Sequence, residues 1–192
     1  MNFTNFKNFM NFTNLFILFT GLILAGCTGN REQTLSEIEK LEKELYADSI
    51  KGINQAVAEE AINAYIDFAN KYPDDEKAPE YLFRAGEVSM GIMKSTNALQ
   101  YFQKICNDYP DHEKTPVCLF LQGFVYETQL NNKVMAQKTY SGFIEKYPNH
   151  TLTDDAKFSL DNIGKSDEEI IKQFEEKLSK EKSDKEKEEE VQ

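Results

Sequence analysis

The chain has 192 residues, 22 of them basic and 33 acidic, for a net charge of -11. That balance excludes the phosphate-neutralising surface that nucleic acid requires, and it opposes electrostatic adhesion to an anionic membrane. Hydrophobic residues at 40% and aromatics at 12% suffice for a core of ordinary size, and the 3 cysteines, at positions 27, 106 and 118, show no metal-type C-x-x-C spacing.

The opening Met1-Asn2-Phe3-Thr4-Asn5 recurs at Met10 to Asn14, and Lys7 is the only charged side chain ahead of the apolar run Leu15 to Ala25. At about 1.5 Å per residue such a run falls short of a ~30 Å bilayer core, so residues 1–26 predict a secretory signal and not a transmembrane helix. Leu24-Ala25-Gly26-Cys27 resembles the lipobox of bacterial lipoproteins at all four positions. The resemblance implies cleavage ahead of Cys27, a diacylglycerol thioether on its sulfur and a palmitate-type chain on the freed amine. Two or more chains anchor stably where one is marginal. An ordinary signal peptide with a chance cysteine is the alternative. Thr28, and not Asp, follows Cys27, which points to the outer membrane and leaves open which side the protein faces.

Residues 27–33 read as a lipidated tether. Thr34 and Glu37 have capping-box spacing ahead of Leu35, Ile38, Leu41 and Leu45, which predicts a helix over 34–47, and Asp48 to Asn54 is the break after it. From Val57 onward a repeat takes over. Tyr72-Pro73, Tyr109-Pro110 and Tyr147-Pro148 are spaced by 37 and then 38 residues. Ahead of them, the sets beginning at Ala61, Ala98 and Ala136 each place six residues at i, i+3, i+4, i+7, i+8 and i+11, one face of a helix. A polar turn follows each pair, and a second helix then opens on Pro79, Pro116 or Asp154. Gly86 and Gly123 share a repeat position and predict a close helix–helix approach, whereas Asp161 stands there in the third copy. Ser166 and Glu169 open a last helix with Ile170, Ile171, Phe174 and Leu178 on one side, read as a cap on the end of the stack. The helical domain thus spans 34–178, and 179–192 is a charged tail that is either a frayed helix or disordered.

Gly86, Ala98, Phe102 and Pro110, and with one inserted residue Gly123, Ala136, Tyr140 and Pro148, resemble the tetratricopeptide repeat (TPR). Ala61, Tyr65 and Pro73 match the second helix of a preceding repeat whose first helix is not recognisable. The resemblance implies an all-α solenoid of antiparallel helix hairpins, flanked by the N-terminal helix and the C-terminal capping helix. With the lipobox it is similar to the TPR lipoproteins of the bacterial envelope, such as those of the β-barrel assembly machinery and the TPR protein associated with Tol–Pal. Partners of such proteins line the first helix of each repeat. Carried over position by position, that groove receives Glu80, Phe83, Glu87 and Met90, then Val117, Phe120, Phe124 and Glu127. Glutamates around phenylalanines suit a basic amphipathic peptide. In a short array the same phenylalanines can be core instead, and Phe120 is expected to be buried either way.

Cys106 and Cys118 lie six residues to either side of residue 112, so they are either a disulfide across a hairpin or two small packed thiols. His112 and His150 occupy one repeat position and are expected to be solvated loop residues. No phosphate loop, H-E-x-x-H or G-x-S-x-G is present, so neither enzyme, cofactor nor metal is expected. The expectation is a non-enzymatic scaffold for a protein or peptide partner, held at the membrane through Cys27. Its rivals are a subunit of an outer-membrane assembly machine and a ligand-binding lipoprotein that partners a transporter.

Overall fold

The computed structural model describes residues 30–47 and 52–189. The signal segment, Cys27, the start of the tether, residues 48–51 of the break and the last three residues lie outside the described residues. Among the described residues the fold is all-α, with eight helices that follow one another as hairpins: α1 (30–45), α2 (Gln55–Lys71), α3 (Ala78–Gly91), α4 (Ser95–Asp108), α5 (Thr115–Phe124), α6 (Lys133–Lys146), α7 (Thr153–Asn162) and α8 (Asp167–Glu189). A π-helical turn, Val125–Gln129, continues α5. The chain forms two compact units that divide between Ile92 and Met93.

One turn, used three times, builds the hairpins. Proline forbids helical backbone to the residue before it, so each helix ends on its tyrosine: Tyr72, Tyr109 and Tyr147 all have φ near -130°. The N–H of each tyrosine still reaches back four residues, to the carbonyls of Phe68, Ile105 and Phe143 at 2.8–2.9 Å. The tyrosine carbonyl then accepts from the N–H of Asp75, His112 or His150 at 3.0–3.1 Å, which closes the turn. Those three side chains point back at the start of the next helix. Asp75 Oδ1 accepts from the Lys77 N–H at 2.9 Å, and His112 Nδ1 and His150 Nδ1 accept from the Lys114 and Leu152 N–H groups at 3.2 Å. The histidines are therefore half-buried turn acceptors, which corrects their reading as solvated loop residues.

In the first unit α1 runs antiparallel to α2. Arg31 Nε donates to Asp75 Oδ2 at 2.5 Å, and Lys71 donates to Asn30, so the start of α1 lies beside the end of α2. At the other end Leu45 and Val57 line one cleft. Helix α1 thus supplies the first helix of the preceding repeat, the one that could not be recognised in the sequence. The helix is already formed at residue 30, and the Thr34 hydroxyl bonds the Asn30 carbonyl at 2.9 Å. Thr34 is therefore inside the helix and not its cap. Ile38, Leu45, Ala58, Ala61, Tyr65, Phe68 and Leu82 are buried, and Tyr81 of α3 packs on Phe68 and Tyr65 at 4.8 and 5.5 Å between ring centres. Each fully buried large side chain stabilises by about 1.5–3 kcal/mol.

In the second unit Phe102, Ile105, Cys118, Val125, Ala136, Tyr140, Phe143 and Ala156 are buried. Gly123 is where α5 meets α6: a Cβ there would lie 2.7–2.8 Å from the Tyr140 ring, so the predicted close approach is real. The inserted residue of the second full repeat is absorbed by the π-helical turn, where the Leu130 N–H reaches the Val125 carbonyl at 3.1 Å, five residues back. Helix α8 opens on the predicted box, with Glu169 Oε2 accepting from the Ser166 N–H at 2.8 Å and the Glu169 N–H donating to Ser166 Oγ at 3.3 Å. It touches α7 through Phe158 and Phe174, whose ring centres are 6.1 Å apart. Ile171, Phe174 and Leu178 nevertheless stay about half exposed, so α8 covers little of the apolar surface behind it. It runs as helix to Glu189, and 171–180 is solvent-exposed throughout.

Candidate partner surface

The residues placed in a groove are divided between the two units, four on α3 in the first and four on α5 and its π-helical turn in the second. On α3 the hydrophobic member is core: Phe83 is 7% exposed. Glu80 is half-buried and accepts from Arg84 Nε at 3.2 Å. Arg84 in turn donates to Glu42 of α1, which also accepts the Tyr65 hydroxyl at 3.0 Å. This network of Glu80, Arg84, Glu42 and Tyr65 ties α1 to α2 and α3. Burial and the Glu42 carboxylate together push the Tyr65 hydroxyl well above the usual phenol range. Glu87 is exposed and Met90 half-buried.

On α5 the order reverses. Phe120, expected to be buried either way, is only half-buried, whereas Phe83 is buried. The Phe120 ring lies 5.6 Å from Tyr140 and 5.9 Å from Phe143, turned to α6. Phe124 is 38% exposed, and Val117 is half-buried. Glu127, carried on the π-helical turn, accepts the Tyr140 hydroxyl at 2.9 Å. Tyr140 is fully buried except for that bond, and burial followed by the bond to Glu127 raises its hydroxyl above the phenol range. Tyr65 and Tyr140 hold one repeat position, and each gives its hydroxyl to a glutamate of the preceding helix. Phe102 holds that position in the middle copy and has no hydroxyl to place. Sequence reading missed Arg84 and Glu42. The signal it had was the tyrosine at two of the three positions, because a buried phenol needs an acceptor.

Cys106 and Cys118 are not joined in a disulfide, and the second is fully buried. Cys106 Sγ contacts the Thr115 carbonyl at 3.8 Å and accepts from Gln122 Nε2 at 3.5 Å. Among the described residues no cluster of three or more His, Cys, Asp or Glu could hold a metal ion, and no helix is long and apolar enough to cross a membrane.

Residues 80–112 and 117–150 match the family model of the tetratricopeptide repeat. The chain therefore contains TPR repeats, a class that engages protein partners. The first matched segment holds α3 and α4, the second α5, the π-helical turn and α6, while the hairpin of α1 and α2 precedes both. No curated protein matches the chain.

Proposed function

We propose that the protein is a non-enzymatic scaffold of the bacterial cell envelope. Its lipidated Cys27 fixes it to the outer membrane, and its TPR repeats present a surface to a protein or peptide partner. The observation that carries this reading is the tetrad Leu24-Ala25-Gly26-Cys27 closing a short apolar run, directly ahead of a chain with two segments matching the TPR model. On α5, the partly exposed Phe124 and Val117 offer apolar contact, and the net charge of -11 favours a basic amphipathic peptide. The available surface is smaller than the groove positions imply, because Phe83 is core and Glu80 and Glu127 are engaged within the protein.

The anchor is tested by growth with a tagged fatty acid, comparing wild type with Cys27→Ala; equal label in the two sinks it. The partner surface is tested by crosslinking in the native membrane from position 124. Protein crosslinks from position 124 that disappear in Val117→Ala, with the melting temperature unchanged, support it. A small molecule that raises the melting temperature while no protein crosslinks overturns the scaffold reading.

A further inference from the structure

We infer that Cys106 and Cys118 are a latent disulfide, a clasp across the Tyr109-Pro110 turn that closes on oxidation. Thr115, Cys118 and Gln122 lie three and four residues apart on α5, one face of that helix, and all three are buried. Cys106 Sγ, arriving from α4, touches the two outer members of this stripe: the Thr115 carbonyl at 3.8 Å and Gln122 Nε2 at 3.5 Å. The same Gln122 Nε2 lies 3.4 Å from the Cys118 carbonyl, so the Cys106 sulfur sits within about 7 Å of that carbonyl, over the turn of helix that bears Cys118. A disulfide needs the two Cα atoms within about 7 Å of each other, and this contact sets the Cys106 sulfur against the face of α5 that carries Cys118.

The matching positions of the other copies each hold one small and one large side chain. The first copy has Ala69 and Tyr81, both buried; the third has Ile144, packed on the cluster that contains Ala156. Only the middle copy has two side chains of equal, intermediate size, and both end in sulfur. Closing the bond leaves Gln122 its Cys118 carbonyl, so no buried amide is stranded.

The chemistry balances with a disulfide oxidant such as glutathione disulfide. One cysteine loses its proton, and its thiolate attacks the oxidant and releases one thiol. The other cysteine, as thiolate, then displaces the second thiol. Two S–H bonds are lost and one S–S bond forms, and the two electrons reside in the reduced oxidant. Burial pushes the Cys106 thiol up, so the reaction is slow in the packed state and proceeds as the hairpin folds or opens. Because Cys106 lies in the segment 80–112 and Cys118 in 117–150, the clasp joins the two matched repeats. It does not depend on the lipid anchor: an oxidising compartment keeps it closed and a reducing one open.

The full chain, refolded from denaturant in oxidised or reduced glutathione, is alkylated and cleaved after lysine without reduction. Cys106 then falls in Ile105–Lys114 and Cys118 in Thr115–Lys133. The expected product in the oxidised sample is these two peptides joined, lighter by two hydrogens than their sum. The melting temperature of the oxidised protein should exceed that of the reduced one by about 5 °C or more. That difference should vanish in Cys106→Ala, which installs the residue of position 69, and in Cys118→Ala, which installs that of position 156. The peptide map of the wild type stands even if a variant folds poorly. Separate alkylation or glutathione caps on the two peptides, a link from either to Cys27, or an oxidised form that melts no higher than the reduced one overturns the inference.

Discussion

In the turn after each Tyr-Pro pair the backbone N–H two residues on meets a side-chain acceptor, supplied by Asp75, His112 and His150 in turn. An imidazole accepting through Nδ1 carries its proton on Nε2, and an Asp carboxylate does the same work without choosing a tautomer. His112→Ala and His150→Ala should each cost about 1 kcal/mol, the scale of a lost helix cap, whereas His112→Asp should cost much less. Urea unfolding of the four proteins measures it, and equal losses for Ala and Asp would count against the turn role. Asp75 is the copy with a titration consequence. The Arg31 guanidinium, first through its hydrogen bond, holds this carboxyl below the usual carboxylate range. A depressed carboxyl stabilises the fold above its unfolded pKa, about 3.9, and loses that contribution as pH falls through the folded value. The stability gap between wild type and Asp75→Asn should therefore be full at neutral pH and close as pH is lowered below about 4. A gap that persists in strong acid would mean that Asp75 acts by shape alone. None of this was legible in the sequence, where a histidine in a polar turn carries no sign of what it accepts.

At the scale of the helix, glycine gives the sharpest contrast. Gly123 faces the Tyr140 ring at a distance no Cβ tolerates, and Gly142 on α6 has open space around it. Gly123→Ala should destabilise by about 1–3 kcal/mol through overpacking, and Gly142→Ala should be neutral or stabilise by up to ~1 kcal/mol through helix propensity. Thermal unfolding of the pair separates the two effects, and matching shifts would sink the close-approach account. The helix pairs around the Tyr-Pro turns were legible because apolar period, proline and repeat spacing agreed. Helix α1 was not recognised as a repeat helix because nine residues separate it from α2, against the three between α3 and α4, and that longer loop shifts every matching position out of register. The π-helical turn was half legible. Counting showed one extra residue between Gly123 and Ala136, but a count cannot say whether a loop or a helix absorbs it.

Across the whole molecule, fold was easier to read than site. A repeat averages its own errors, since Tyr72, Tyr109 and Tyr147 each testify to the same turn. A groove residue has only its own surroundings. Phe83 and Phe120 share a repeat position, yet one is core and the other half-buried, because what packs on each comes from a different neighbour. The terminal helix shows the same limit: its apolar spacing was plain in sequence, while its half-exposed seating was not. Truncation after Ser166 removes a helix whose apolar side chains stay largely in water. The melting temperature should fall by no more than about 4 °C, the shift expected for roughly 1 kcal/mol in a domain of this size. A collapse of the second unit, read by far-UV circular dichroism, would show α8 to be an essential cover.

The seating of α1 has a mechanical consequence. Helix is already present at residue 30, and Asn30 and Arg31 are bonded to Lys71 and Asp75 at the end of α2. Tension on the chain from that side has no slack to take up within the described residues. It loads the Arg31–Asp75 pair first, then peels α1 from its amino end one turn at a time, and Glu42 lies three turns further along. The first hairpin is thus a strain gauge in series with whatever holds the amino terminus, and the turn it would open first is the first of the three built on Tyr-Pro.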